Sequence, residues 1–357
     1  MTDLILALDQ GTTSSRSILF TEKAEIRAVA SEPLECRYPD SGWVEQDAEA
    51  IWETQRSTIV KVLDQAGIGL SEVSAIGITN QRESTIAWNR ETGEALCPAI
   101  NWQCRRTAGF CDELKEEGFD ELIRNRTGLV TDPYFSGTKM HWILQNVPEA
   151  ANLARQGKLC FGTVDSWLIW KLSGGTTHAI EISNASRTLV FDIQKCEWDS
   201  EILSRFGIPP ESLPEVVPSS GVIAVVDESL FGGSAPIAGA AGDQQAALFG
   251  QACFSPGMAK NTYGTGCFMI SNTGKHLVRS ENGLLTTIGW KLGDEVTYAL
   301  EGSVFIAGAL VQWLRDGLEL FNDAAETESM ALSAPDSGGV FVVPAFVGLG
   351  APHWDPY

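Results

Sequence analysis

The chain has 357 residues, with 25 Lys+Arg against 46 Asp+Glu, so its formal charge is 25 − 46 = −21. That length makes two domains a better expectation than one core, and the acidity argues against a sequence-independent nucleic-acid binder or a polybasic membrane-surface protein, both of which need clustered Lys and Arg. Hydrophobic residues at 44% and charged residues at 20% describe a globular chain and exclude long-range disorder.

Leu4 to Leu8 is a short apolar run that ends in Asp9 and breaks into Gly11-Thr12-Thr13-Ser14-Ser15, the pattern of a buried strand entering a turn. Ser17 to Phe20 and Glu25 to Leu34 are the next strands, so an antiparallel meander opens the chain. From Asp47, Ile51, Trp52, Ile59, Val62, Leu63 and Ala66 fall at helical spacing, with Asp47 placed to cap and Gly67 to stop. Ser74 to Thr79 is again a buried strand, and strand-strand-strand-helix-strand predicts a mixed sheet. Helices are expected near 108–125 and 137–147, a strand-to-helix unit at 159–172, and another at Ile237 to Phe249. Residues 259–300 read as successive β segments, Ala307 to Leu320 as a helix, and Val340 to Val343 as a strand. The boundary between the domains is placed near 250. No apolar run approaches the roughly 18 residues of a membrane helix, and the opening MTDLILALDQ lacks the features of a signal peptide. The eight cysteines show no C-x-x-C pair and read as reduced thiols of a cytoplasmic protein.

Three groups of residues carry chemistry. In Asp9-Gln10-Gly11-Thr12-Thr13-Ser14-Ser15-Arg16, a strand-end carboxylate can hold hydrated Mg²⁺ while a Gly/Thr hairpin donates to phosphate oxygens. Gly242-Asp243-Gln244-Gln245, followed by Thr262-Tyr263-Gly264-Thr265-Gly266, echoes it at a distance, and together the two suggest a phosphate donor held across a cleft. Asn80-Gln81-Arg82-Glu83, with Trp102, Gln103 and Tyr134, suits a small polyol: the charged pair takes hydroxyls in bidentate fashion and the rings pack on C–H edges. Cys104-Arg105-Arg106 reads as a solvated helix start.

The segment from Tyr134 to Asn146, YFSGTKMHWILQN, is similar position by position to the signature of the FGGY carbohydrate kinases. GITNQRE at 77–83, WQCRRT at 102–107, AGDQQAALFGQ at 241–251, KNTYGTGCF at 260–268 and GLGAPHWDP at 348–356 resemble the members that phosphorylate glycerol. The resemblance runs the length of the chain. It implies an α/β, actin/hexokinase-like (ribonuclease H-like) fold of two domains with mixed sheets, residues 1–250 on the glycerol and phosphate side and 251–357 on the nucleotide side. The second domain is expected to be incomplete, since family members are longer and carry a further adenosine-binding segment. The implied activity is phosphorylation of glycerol by ATP with Mg²⁺, with a homodimer or homotetramer as the assembly. Arg82, Glu83, Trp102, Tyr134, Asp243, Gln244 and Phe268 correspond to the glycerol pocket, with Asp243 as the base. Thr12, Thr13, Ser14, Arg16, Thr265, Gly308 and Gln312 correspond to nucleotide contacts and Asp9 to the magnesium-side carboxylate. Xylulose, ribulose and gluconate are substrates elsewhere in the family, and a non-catalytic fragment is the reading outside the enzyme class. The Gly232-Gly233-Ser234 segment lacks the arginine that accompanies control by fructose 1,6-bisphosphate.

Overall fold

The computed structural model describes residues 3–356. In the first strand, β1 (Leu4–Gln10), Leu4, Leu6 and Leu8 are buried and Ile5, Ala7 and Asp9 point to the more open face, as a period of two requires. β1 pairs antiparallel with β2 (Ser14–Thr21), and β2 with β3 (Ile26–Pro33). Strands β4 (Ala75–Asn80), β5 (Ser220–Val225) and β6 (Pro236–Gly242) complete a six-stranded mixed sheet in the order β5-β6-β4-β1-β2-β3. β4 is parallel to β1, and β6 is parallel to β4.

Helix α1 (Ala48–Ala66) lies over β2 and β3. The Asp47 carboxylate accepts from the backbone N–H groups of Glu49 and Ala50, and Gly67 closes the helix at φ 66°, where a side chain would be strained. Its buried face is not purely apolar. Gln55 and Thr58 bond the Ser17 hydroxyl, and Thr54 bonds Ser15, so every inward hydroxyl on β2 finds a partner.

The second sheet is antiparallel, with β7 (Ala259–Tyr263), β8 (Cys267–Gly274), β9 (Leu285–Leu292) and β10 (Glu295–Val304) in the order β7-β8-β10-β9. The second sheet is tied to the first half by two serines, Ser186 after the helix Ile182–Ala185 and Ser219 just before β5. Ser186 Oγ meets Thr287 Oγ1 at 2.9 Å, and Lys291 N donates to Ser219 Oγ at 3.0 Å.

Several expectations need correction. The helix expected over 108–125 is two helices, Ala108–Glu116 and Asp120–Thr127, because Gly118 turns the chain at φ 71°. The helix expected to reach Leu320 spans Gly308–Asp316. Val340 to Val343 form no strand: their side chains are exposed and no backbone ladder reaches them among the described residues, and β-propensity without a partner does not make a strand. Arg105 and Arg106 are not solvated. Arg105 pairs with Asp132 at 2.9 Å, and Arg106 pairs with Glu45 at 2.7 Å while stacking on Trp43 at 3.8 Å, so both are structural cations.

Candidate active site

Parallel strands deliver side chains to one edge. Asp9 lies in register with Thr79, and Thr79 with Ala241; Asn80 lies in register with Gly242. Asp9 and Asp243 therefore leave the carboxyl ends of strands on either side of β4, about 10 Å apart at ordinary strand spacing. In open α/β sheets this edge is where ligands bind. Both carboxylates thus come from the first sheet. The second half supplies no acid to the lining; it contributes Thr262, the Gly264-Thr265-Gly266 hairpin and Phe268.

A cavity of about 160 Å³ opens here, lined by residues of both sheets. It receives Arg82, Glu83, Trp102, Tyr134, Asp243, Gln244 and Phe268, together with Thr12, Thr13 and Thr265. Asp9, Ser14, Arg16, Gly308 and Gln312 are not among its lining residues. Ser14 and Arg16 continue along β2, Gly308 starts the helix Gly308–Asp316 against the Gly264 carbonyl, and Gln312 is exposed. Gln81, Thr262, Gly264 and Gly266 also line it; they sit inside the quoted motifs, so their signal was present.

Trp102 forms one wall, edge-on to Tyr134 at 5.7 Å and to Phe268 at 6.0 Å. Its indole N–H donates to Thr12 Oγ1 at 2.9 Å, which joins this wall to the first hairpin. The second hairpin is closed by Gly264 N donating to Gly266 O at 2.9 Å, and Gly308 N donates back to Gly264 O at 2.9 Å.

Charge is concentrated on the floor. Arg82 and Arg187 are buried with Glu83 and Glu301, while Asp243 is 36% exposed to the cavity. Burial pushes the Asp243 carboxyl up to about 6, the Arg82 guanidinium opposes this and Glu83 reinforces it. Glu301 behaves oppositely: burial disfavours its charge, yet Arg187 and Arg82 hold it at about 2. Burial raises the Tyr134 phenol, which stays neutral. Lys260 bonds Gln244 Oε1 from the second sheet and Thr262 Oγ1 at 2.7 Å, and burial lowers it to about 8.

The fork of Arg82 does not face the cavity, as bidentate capture of hydroxyls would need. It grips Glu301, at 2.5 and 2.9 Å. Glu301 and Arg187 were absent from the sequence-derived site, and Lys260 and Gln245 lay inside the quoted motifs without an assigned role. The available signal was an ionisable residue inside a stretch of small and apolar ones, Ala299-Leu300-Glu301-Gly302-Ser303-Val304, on an inward-facing register.

Among the described residues no three His, Cys, Asp or Glu side chains form a metal cage. Mg²⁺ needs none: it keeps water, takes phosphate oxygens and uses one or two carboxylates. Asp9 fits that demand as a partly buried strand-end carboxylate, its pKa raised by burial with Arg16 opposing.

Two lobes meeting at a small polar cavity, with a Gly-Thr-Gly hairpin and a strand-end acid in its lining, have the architecture of the actin/hexokinase phosphotransferases. Models of the FGGY family of carbohydrate kinases match the chain, the N-terminal domain over residues 4–250 and the C-terminal domain over 259–357. The chain belongs to that family. It is 60% identical to a glycerol kinase of Symbiobacterium thermophilum over 99% of this chain and 71% of that protein, and 58% identical to glycerol kinase 2 of Thermotoga maritima with the same coverage. Among solved structures, the ADP complex of Plasmodium falciparum glycerol kinase superposes with a TM-score of 0.87 at 35% identity, covering 99% of this chain and 71% of that one. A gluconate kinase from Lactobacillus acidophilus, at 20% identity and TM-score 0.83 over 100% of this chain and 71% of its own, shares the fold.

Proposed function

We propose that the chain transfers the γ-phosphoryl group of ATP to glycerol, giving sn-glycerol 3-phosphate and ADP. The observation that carries this is the cavity itself. At about 160 Å³ it is smaller than the 300–1,000 Å³ of sites for larger ligands, with aromatic rings on one side and Asp243, Arg82 and Glu83 on the other. The relatives named glycerol kinase, at 56–60% identity, support the same substrate.

In this reading Arg82, Glu83 and Gln244 orient the hydroxyls, and Trp102, Tyr134 and Phe268 exclude water. Asp243 receives the proton of the attacking hydroxyl as its oxygen bonds to phosphorus and ADP leaves. A carboxylate held near 6 is a far weaker base than an alkoxide, so the proton moves late. Orientation supplies roughly 7–11 kcal/mol and a general base roughly 3–5; positioning dominates. Thr12 and Thr13 face Gly264 to Gly266 across the cavity and bracket the phosphates, with Ser14, Arg16, Thr265, Gly308 and Gln312 extending the nucleotide side. Asp9 is the residue that would hold Mg²⁺, which when bound offsets phosphate charge. Residues 1–250 form the glycerol-side domain and 251–357 the nucleotide side. The −21 net charge repels ATP at long range, so Arg16 and the metal reverse the field locally.

The test is ADP release with glycerol beside xylulose, ribulose and gluconate. Glycerol is expected to give the highest kcat/KM. A pentulose or gluconate ahead of glycerol, or no ADP release with any of them, overturns the assignment.

A further inference from the structure

Arginine has five N–H donors in a fixed fork. In Arg82 the four terminal ones face fixed protein partners. Nη1 donates to Glu301 Oε2 at 2.5 Å and Gln245 Oε1 at 3.2 Å; Nη2 donates to Glu301 Oε1 at 2.9 Å and Tyr134 Oη at 3.2 Å. Only Nε–H remains, 3.4 Å from Asp243 and 3.6 Å from Glu83.

Glu301 is itself saturated. Besides the Arg82 fork it accepts from Arg187 Nη2 at 2.9 Å and Ser303 Oγ at 2.9 Å. Its side chain is fully buried and it is not a lining residue of the cavity. It belongs to β10 of the second sheet, whereas Arg82 follows β4 of the first. Arg187 also holds Glu83 at 2.7 Å, so one buried carboxylate orders both members of the Arg82-Glu83 pair.

We infer that Glu301 is a positioning residue for substrate recognition: by occupying the Arg82 fork from the opposite lobe, it leaves Arg82 one N–H for one substrate hydroxyl. An unheld guanidinium would swing its fork toward Asp243 and Glu83, because planar bidentate pairing with a carboxylate is its strongest geometry. That would close the cavity to glycerol. The polyol site therefore exists only while β10 is docked on the first sheet. The nucleotide contacts lie on the two hairpins, on β2 and on the helix Gly308–Asp316, and none of them bonds the Glu301 carboxylate, whose partners are Arg82, Arg187 and Ser303, so the effect is confined to the polyol.

The inference rests on the glycerol reading, and wild-type turnover separates the two: absence of glycerol-dependent ADP release defeats that reading before any variant is compared. Given wild-type activity, the experiment measures glycerol and ATP KM for Glu301→Gln, Glu301→Asp, Arg82→Lys and the Arg82→Lys/Glu301→Gln double variant. Glu301→Gln is expected to raise glycerol KM at least ~10-fold with ATP KM within ~2-fold, and Glu301→Asp to recover part of the loss. In the Arg82→Lys background the same change is expected to add less than ~3-fold, because the fork it positions is gone. A glycerol KM within ~3-fold of wild type in Glu301→Gln, no recovery in Glu301→Asp, or an undiminished effect in the Arg82→Lys background, overturns the inference. If Glu301→Gln does not fold by circular dichroism, Ser303→Ala loosens the same carboxylate while leaving both arginines. It is expected to raise glycerol KM ~2–5-fold, and an unchanged value overturns the inference.

Discussion

Asp243→Asn isolates the proton-accepting step. The substitution is isosteric and keeps an acceptor for the Gln244 backbone N–H, which bonds Asp243 Oδ1 at 2.7 Å in the first turn of the helix Asp243–Gly250. What is lost is the charge facing Arg82 Nε at 3.4 Å and the ability to take a proton. A general base contributes 10²–10⁴-fold, so turnover is expected to fall at least ~10² while glycerol binding, carried by the remaining contacts, changes little. Orientation by the rest of the site keeps the variant well above the uncatalysed rate. The pH profile supplies a second, independent reading. With Asp243 held up at about 6, the wild-type enzyme loses activity as pH falls through 6, and at pH 5 only about a tenth of the base is ionised. The variant has no such limb. Glycerol 3-phosphate is measured directly by chromatography, since coupling enzymes have pH limits of their own. Turnover within ~10-fold of wild type, or an acid limb that survives in the variant, removes Asp243 from the role. Stability moves the other way. Because the folded pKa is raised, the stability linked to this group is fully present below 3.8 and lost as pH rises through 6. The Asn variant is therefore expected to melt higher than wild type at pH 7.5, with the gap closing as pH falls toward 4.

Gly266→Ala tests the second hairpin. A Cβ there would stand 2.5 Å from the Val304 carbonyl and 2.8 Å from that of Phe305, backbone atoms that cannot step aside. The hairpin must shift, so ATP KM is expected to rise at least ~10-fold with glycerol binding by calorimetry unchanged; an unchanged ATP KM counts against the phosphate role. Glu181 is a buried carboxylate pushed up to about 7 by burial, with the hydroxyls of Ser183 and Ser219 opposing. Its contribution to stability is complete below 4.5 and lost as pH rises through 7, an effect on the order of a few kcal/mol by pH 8. Glu181→Gln removes that slope, so urea unfolding should favour the variant more at pH 8 than at pH 5. An equal difference at both pH values refutes the assignment.

Features fixed within a few residues were legible in the sequence. The period of Leu4, Leu6 and Leu8, the Asp47 cap with its Gly67 stop, and the Gly-Thr-Gly hairpin each depend on neighbours along the chain, and each forms where its pattern stands. The cavity-lining residues from Arg82 to Phe268 were likewise readable, because they lie in compact motifs at strand ends. Tertiary structure decided which groups those motifs face. Arg82 and Glu301 are 219 positions apart, and nothing local says that an arginine suited to a polyol gives its fork to a carboxylate from the other sheet. The same holds for Arg105 and Arg106, whose charges look solvated until Asp132, Glu45 and two tryptophan rings close around them. Val340 to Val343 make the converse point: strand-forming side chains remained irregular because no strand edge pairs with them among the described residues. Local propensity acts through bonds a few residues long, whereas the pairing of charges and of strand edges depends on what the finished fold brings alongside.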